Sequence, residues 1–327
     1  SCWRWKETHR KKTPEMKDVL KELLKDSTAG DPMGGLHWTH KSMRKLGAAM
    51  KRRGFDVCYV TVGRLMSEMR FSLRTNRKRL AKTHDPDRNR QFRLLTQRRN
   101  SFQRKTWPII SIDCKKKEMI GNFKNPGKTW RTEARDVFDH DFPSWADGRV
   151  IPFGVYDIAK NRGFTVVGIS RETSAFVIHA IRSWWLTVGR HEYPGATHLG
   201  IECDCGGGNG PRQWAWKVGL QHLADEFGLT ITVGHFPPGA SKWNFIEHRM
   251  FSLISANWAG EPLISYELVL KYIRSTRSTT GFRCRAMLDK NDYPKKECVS
   301  AEQKVNVRLS PHHVLPKWNY TVRPKNT

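Results

Sequence analysis

PIISIDC, residues 108–114, is a β-branched apolar run that closes on an acid. Isoleucines at 109, 110 and 112 fall on both sides of a period-2 ribbon, the pattern of a strand covered on both faces. Asp113 thus ends a buried strand, and strand ends in an α/β sheet are where sites form. Downstream, IPFGVYDIA (151–159) and FTVVGIS (164–170), parted by KNRG, read as a hairpin. A helix from Thr173 to Val188 leads to a further strand, HLGIECD (198–204), which closes on Asp204. Helix Arg212–Phe227, strand LTITVGH (229–235) and helix Lys242–Trp258 complete the order βββαβαβα, an α/β fold.

The last helix carries the third acid. Trp243, Glu247, Met250, Ile254 and Trp258 recur by threes and fours, so Glu247 lies on the core-facing stripe. A buried carboxylate must be protonated, paired or bound to a cation. Three of them at one end of a sheet would repel and raise each other's pKa unless divalent ions intervened. Mg²⁺ is the natural occupant, and two such ions could drive an in-line displacement at phosphorus. Strand-Asp, strand-Asp, helix-Glu in this order is the arrangement of an RNase H-like (retroviral integrase-type) nucleotidyl transferase, with Asp113, Asp204 and Glu247 as catalytic and metal-holding residues. Taken singly, each acid reads as a cap or turn former; the shared topology reverses that. Rival acids are Glu118, Asp141, Asp157 and Glu202, the last sharing a strand face with Asp204. His235 and His248 flank the expected site. The loop CGGGNG (205–210) lacks the Gly-Lys-Ser/Thr of a nucleotide-binding P-loop, and Cys203 and Cys205 face away from Asp204 as packing residues.

Upstream, the chain turns helical and basic. Of a formal charge of +27 across 327 residues, residues 1–108 carry 28 basic and 10 acidic side chains. That asymmetry points to a polyanion. PEMKDVLKELLKD (14–26) has a helical apolar stripe broken by Ala-Gly-Asp-Pro. HKSMRKLGAAMKRRG (40–54) and VTVGRLMSEM (60–69) about the turn FDVCY read as a helix-turn-helix spanning about 40–70. Thr61 and Arg64 face outward on its second helix, and Arg77, Lys78 and Arg79 follow as phosphate contacts. Arg88–Arg104 reads as a connecting helix. The expected domains are a basic helical DNA-binding region (1–107), the catalytic core (108–262), and a C-terminal helix, Ser265–Arg277, with a basic tail (263–327) whose fold is not readable. Seven scattered cysteines without a C-x-x-C pair exclude a disulfide framework and a zinc ribbon. No apolar stretch reaches the ~18 residues of a membrane span and no signal peptide opens the chain; a cytoplasmic, nucleoid-associated protein is expected. Ser1 leads straight into charged sequence, as it would in a fragment lacking its own start.

Several segments resemble the Rhodopirellula-type DDE transposases of the ISAzo insertion-sequence family: SIDCKKKEMIGNFKNPG (111–127), HDFP (140–143), IPFGVYDIAKNRG (151–163), CDCGGGNGPR (203–212), GLTITVGHFPPGASKWNFIEHRMFS (228–252) and WNYTV (318–322). The resemblance implies two Mg²⁺ ions, with Mn²⁺ able to substitute, on Asp113, Asp204 and Glu247. It also implies cleavage at element ends by water, then attack of the 3′-OH on target DNA. The partners would be terminal inverted repeats and target DNA, with a homo-oligomer on DNA. Lys115, Lys116, Lys117, Lys124, Lys242, His248 and Arg249 would contact DNA. Five departures from the family pattern stand out: cysteines flank Asp204, Gly208 replaces Ser, Glu172-Thr173-Ser174-Ala175-Phe176 stands where relatives read Asp-Thr-Ala-x-Phe, Cys58 stands where a cap Ser is expected, and Arg70 stands for a helix-ending Gly. They spare the triad and read as drift. A copy reduced to DNA binding and an RNase H-like nuclease are the alternative readings.

Overall fold

The computed structural model describes residues 14–24, 28–30, 37–39, 42–72, 85–240, 243–295 and 298–325. The chain forms two compact units, Ser1–Leu80 and Ala81–Thr327. In the first, helix α1 (14–24) buries Met16, Leu20 and Leu24 with Leu46, Met50, Val62 and Leu65. The last four belong to α2 (Met43–Arg52) and α3 (Tyr59–Glu68), which enclose a six-residue turn as the expected helix-turn-helix pair. A small antiparallel ribbon, β1 (Thr28–Gly30) with β2 (His37–Thr39), stands where the sequence suggested only a break. Two local departures have structural counterparts. Cys58 sits at the α3 N-cap with extended backbone but no side-chain cap bond, and Arg70 is forced to φ 65° just past the helix.

The second unit begins earlier than residue 108. α4 (Arg88–Arg104) is a part of it rather than a connector, burying Gln91, Leu95 and Phe102. Then follow β3 (Ile109–Cys114), β4 (Glu118–Ile120), β5 (Gly148–Asp157), β6 (Arg162–Gly168), α5 (Ser174–Trp184), α6 (Arg190–Glu192), β7 (His198–Cys203), α7 (Trp214–Phe227) and β8 (Thr230–His235). Next come α8 (Ser252–Asn257), α9 (Tyr266–Ser275), β9 (Arg283–Asp289), α10 (Ala301–Val305), β10 (Leu309–Pro311) and β11 (Asn319–Val322). Among the described residues one sheet runs β10-β11-β8-β7-β3-β5-β6-β9, with β4 paired to β5. β3, β7 and β8 are mutually parallel and β5 is antiparallel to both β3 and β6. This is the RNase H-like order, with the first strand in the centre.

The two faces of the sheet have different cores. Ile110, Ile112, Phe153, Val155 and Ile201 pack against Phe176, Ile181, Trp184, Trp216 and Leu220 of α5 and α7. On the other face Ile109, Tyr156 and Val167 meet Ile246, Met250, Ile254, Trp258, Val269 and Ile273. The basic tail is not separate. β9 pairs in parallel with β6, and β11 pairs with β8, so residues from 263 onward extend both edges of this sheet. Among the described residues no helix is long and apolar enough to cross a membrane.

Candidate active site

β3 alternates as its sequence requires. Ile110 and Ile112 enter the α5/α7 core while Ile109 faces the opposite one, so by period 2 Ser111 and Asp113 share the face of Ile109. Asp113 pairs in register with Gly154 of β5. A Cβ at Gly154 would stand 2.7 Å from both Ile246 Cδ1 and Phe251 Cε1. The missing side chain therefore lets the segment carrying Glu247 lie directly on the sheet beside Asp113.

That segment differs from the expected helix 242–258. The regular turns begin at 245 and pass through a π turn, Glu247–Phe251, before α8; such turns recur at functional sites. Trp243 therefore precedes the helix and is half exposed instead of joining the inward stripe; it packs edge-on to Phe92 of α4. Met250, Ile254 and Trp258 are buried as expected, and Glu247 is half-buried.

Asp113, Asp204 and Glu247 lie close enough to sense one another. Burial, then the charges of Asp204 and Glu247, push the Asp113 carboxyl up to about 8, opposed by the Cys114 N–H and the Asn244 side chain. Glu247 is also raised, by burial first, with His248 and Lys115 pulling it down and Asp204 pushing it up. Cys114 N–H donates to Asp113 Oδ1 at 2.8 Å, and Asn244 Nδ2 donates to Oδ2 at 3.1 Å. Asp204 follows β7 and accepts at Oδ1 from Asn209 Nδ2 at 3.0 Å. Its carbonyl accepts at 2.7 Å from His235 Nδ1, whose Nε2 in turn meets the Tyr320 hydroxyl at 2.9 Å. Trp216 Nε1 donates to that hydroxyl, so the Tyr320 proton goes to Nε2 and His235 is a neutral Nδ1–H tautomer. Burial agrees, pushing His235 down to about 4.

The remaining expected residues divide. Lys115 is no surface clamp: it is 8% exposed, pairs with Glu118 at 2.9 Å and lies 4.5 Å from the Trp258 ring centroid. Lys116 and Lys124 are exposed; Lys117 is half exposed and lies 3.7 Å from Glu172. His248 and Arg249 are exposed next to Glu247, with the Arg249 guanidinium over Phe245. Thr61 is partly exposed and Arg64 exposed on α3, where Arg64 pairs with Glu68. Arg77, Lys78, Arg79 and Lys242 lie outside the described residues. Of the rival acids, Glu118 is spent on Lys115. Glu202 is fully buried and bound by Arg99 at 2.9 and 3.0 Å rather than turned toward Asp204. Asp157 caps its own hairpin turn and accepts from Tyr193. Asp141 is exposed on a loop.

Sequence reasoning passed over Asn209 and Asn244, because polar residues in loops are ordinary, and Ser111, a small hydroxyl inside the β3 run; Glu172 stood out only as a departure from the family pattern. Glu172 borders the site: its charge, after burial, raises the neighbouring Cys114 thiol. Gly208 also gains a reason. A Cβ there would lie 2.5 Å from the Thr173 carbonyl carbon and oxygen, and Ser174 Oγ donates to the Gly208 carbonyl at 2.6 Å.

Three hard carboxylates, one of them pushed up by burial first and then by the charges of the other two, suit a divalent cation in donor chemistry. As they stand, no three His, Cys, Asp or Glu side chains among the described residues are gathered tightly enough to hold an ion. The family model described as Rhodopirellula transposase DDE domain matches residues 19–324. Among solved structures, the Mos1 transposase paired-end complex with left transposon end is 14% identical. Its TM-score is 0.41, and the match covers 78% of this chain and 69% of that one. The Mos1 strand transfer complex is 12% identical with a TM-score of 0.43, covering 78% and 68%. No curated protein matches the chain.

Proposed function

The chain belongs to the Rhodopirellula-type family of DDE transposases, and from that premise we propose that it cleaves DNA at element ends and joins the freed ends to target DNA. Members of this family are polynucleotidyl transferases that use divalent metal. The observation that supports the reading most is Asp113, buried at a central strand end with its carboxyl pushed up to about 8 beside two further acids. Such a cluster is costly in a protein with no use for a cation.

Asp113, Asp204 and Glu247 would hold two Mg²⁺ ions. When bound, these supply the charge that activates water or a 3′-OH and stabilises the leaving oxygen. The chain's own residues do the positioning. Exposed Lys116, Lys124 and Arg249 would take DNA phosphates near the acids, and Arg64 with Thr61 on α3 would read terminal repeats from the first unit. Lys115 would act from inside, its charge lowering Glu247. Residues 1–80 serve in this reading as the repeat-binding domain and 81–327 as the catalytic one.

The test is cleavage of DNA bearing the element ends with Mg²⁺ or Mn²⁺, comparing wild type with Asp113→Asn and Glu247→Gln. Both substitutions should abolish cleavage and leave salt-sensitive DNA binding intact; equal activity in all three proteins would sink the site assignment. Binding without cleavage by the wild type would mark a copy that only binds DNA, and cleavage without strand transfer a nuclease.

A further inference from the structure

The geometry points to Asn209 and Asn244 as paired positioning residues, each holding one candidate catalytic aspartate by a single carboxylate oxygen. The inference rests on the transposase reading above and concerns how its site is kept in register.

Both asparagines are sealed from solvent, at 2% and 0% exposure, although they come from loops. A buried amide is costly unless its groups are matched, and here the matching is directional. Ser111 Oγ donates to Asn244 Oδ1, which turns the amide nitrogen toward Asp113 Oδ2 at 3.1 Å. Asn209 shares its Nδ2 between the Asp204 carbonyl at 3.3 Å and Oδ1 at 3.0 Å. The asparagines thus grip different segments. Asn244 stands three residues before Glu247 and ties that segment to β3; Asn209 stands five residues after Asp204 and folds the glycine loop back on it.

Neutral amides suit this task better than cations. A lysine or arginine on the same oxygens would satisfy the carboxylates and compete with a metal, whereas an amide orients one oxygen and leaves the net negative charge in place. Lys115, a buried cation whose charge reaches Glu247, is engaged by Glu118 and Trp258 instead.

The test uses the full chain, with Mn²⁺ binding measured by calorimetry alongside DNA cleavage and thermal melting. Asn209→Ala and Asn244→Ala should each melt as folded proteins and bind Mn²⁺ about tenfold more weakly. The weakening from Asn244→Ala should vanish in an Asp113→Asn background and persist in Asp204→Asn; that from Asn209→Ala should show the reverse. Folded alanine variants that bind Mn²⁺ like wild type, or that weaken it equally in both backgrounds, would overturn the proposal. Should an alanine variant not fold, Asn244→Ser or Asn209→Ser is read the same way. Failure of the underlying reading looks different: Asp113→Asn would then itself bind Mn²⁺ and cleave DNA like wild type.

Discussion

Asp113 shows how much one side chain can be asked to carry. Its carboxyl, ordinarily near 3.8, is pushed up to about 8 by burial and then by Asp204 and Glu247. A folded-state pKa above the unfolded one means that folding favours the protonated form. That stabilisation is complete below the unfolded value and is lost as pH rises through about 8. With metal chelated, the wild-type melting temperature should therefore fall, relative to Asp113→Asn, as pH climbs from 4 to 9. Calorimetry of both proteins in EDTA checks this, because other titrating groups largely cancel in the comparison; a pH-independent difference would show that Asp113 is not the group titrating. Gly208 makes a second case. Placing Ser there should destabilise by about 1–3 kcal/mol, since its Cβ would meet the Thr173 backbone; a Gly208→Ser protein melting at or above wild type would refute it. At this scale Asp113, Asp204 and Glu247 were legible as candidates because a charge in or beside an apolar run needs a reason. Asn209 and Asn244 were not, because nothing in a loop sequence tells a buried amide from an exposed one.

Elements were legible in proportion to their length and periodicity. β3, β7, β8, α5 and α7 follow period-2 or period-3.6 patterns long enough to read, whereas β10 and β11, at three and four residues, are strands only because β8 offers an edge. β9 does alternate in part, with Cys284 and Ala286 buried between exposed Arg283 and Arg285, but its charges resemble a basic tail. The π turn at Glu247 has no sequence signature, and neither does the late start of the helix at 245, which left Trp243 off the expected stripe. Helix α3 is the opposite case, where local rules spoke clearly. An N-cap without an oxygen and an arginine at positive φ both weaken it. Cys58→Ser should stabilise the protein by about 0.5–1 kcal/mol and Arg70→Gly by about 1 kcal/mol, read as rises in the melting transition of the first unit. A neutral Arg70→Gly would mean that φ relaxes at no cost.

The charge of the whole molecule reads differently once the units are drawn at Leu80 and Ala81. Residues 1–80 hold 20 basic and 8 acidic side chains against 38 and 23 in the remainder, so the second unit keeps more than half of the +27. Part of that positive charge is internal. Arg99 neutralises buried Glu202, and Arg98 donates to Asn319 of β11 at 2.8 Å. Gln91 adds bonds to the His235 carbonyl and to Asn319, tying α4 to β11 and to β8, which lies next to the strand leading into Asp204. A basic helix before a catalytic domain looked in sequence like a linker because its partners lie more than a hundred residues away. The consequence is measurable on fragments. Residues 81–327 should express and melt cooperatively, whereas residues 108–327 should not, because removing Arg99 strands Glu202 in the core at a cost of about 3–5 kcal/mol. Within the full chain, Arg99→Met should cost a similar amount and Arg99→Met with Glu202→Met much less, since the pair is then replaced by apolar volume. A fragment starting at 108 that melts like the longer one would place α4 outside the fold's requirements and return it to the role of connector.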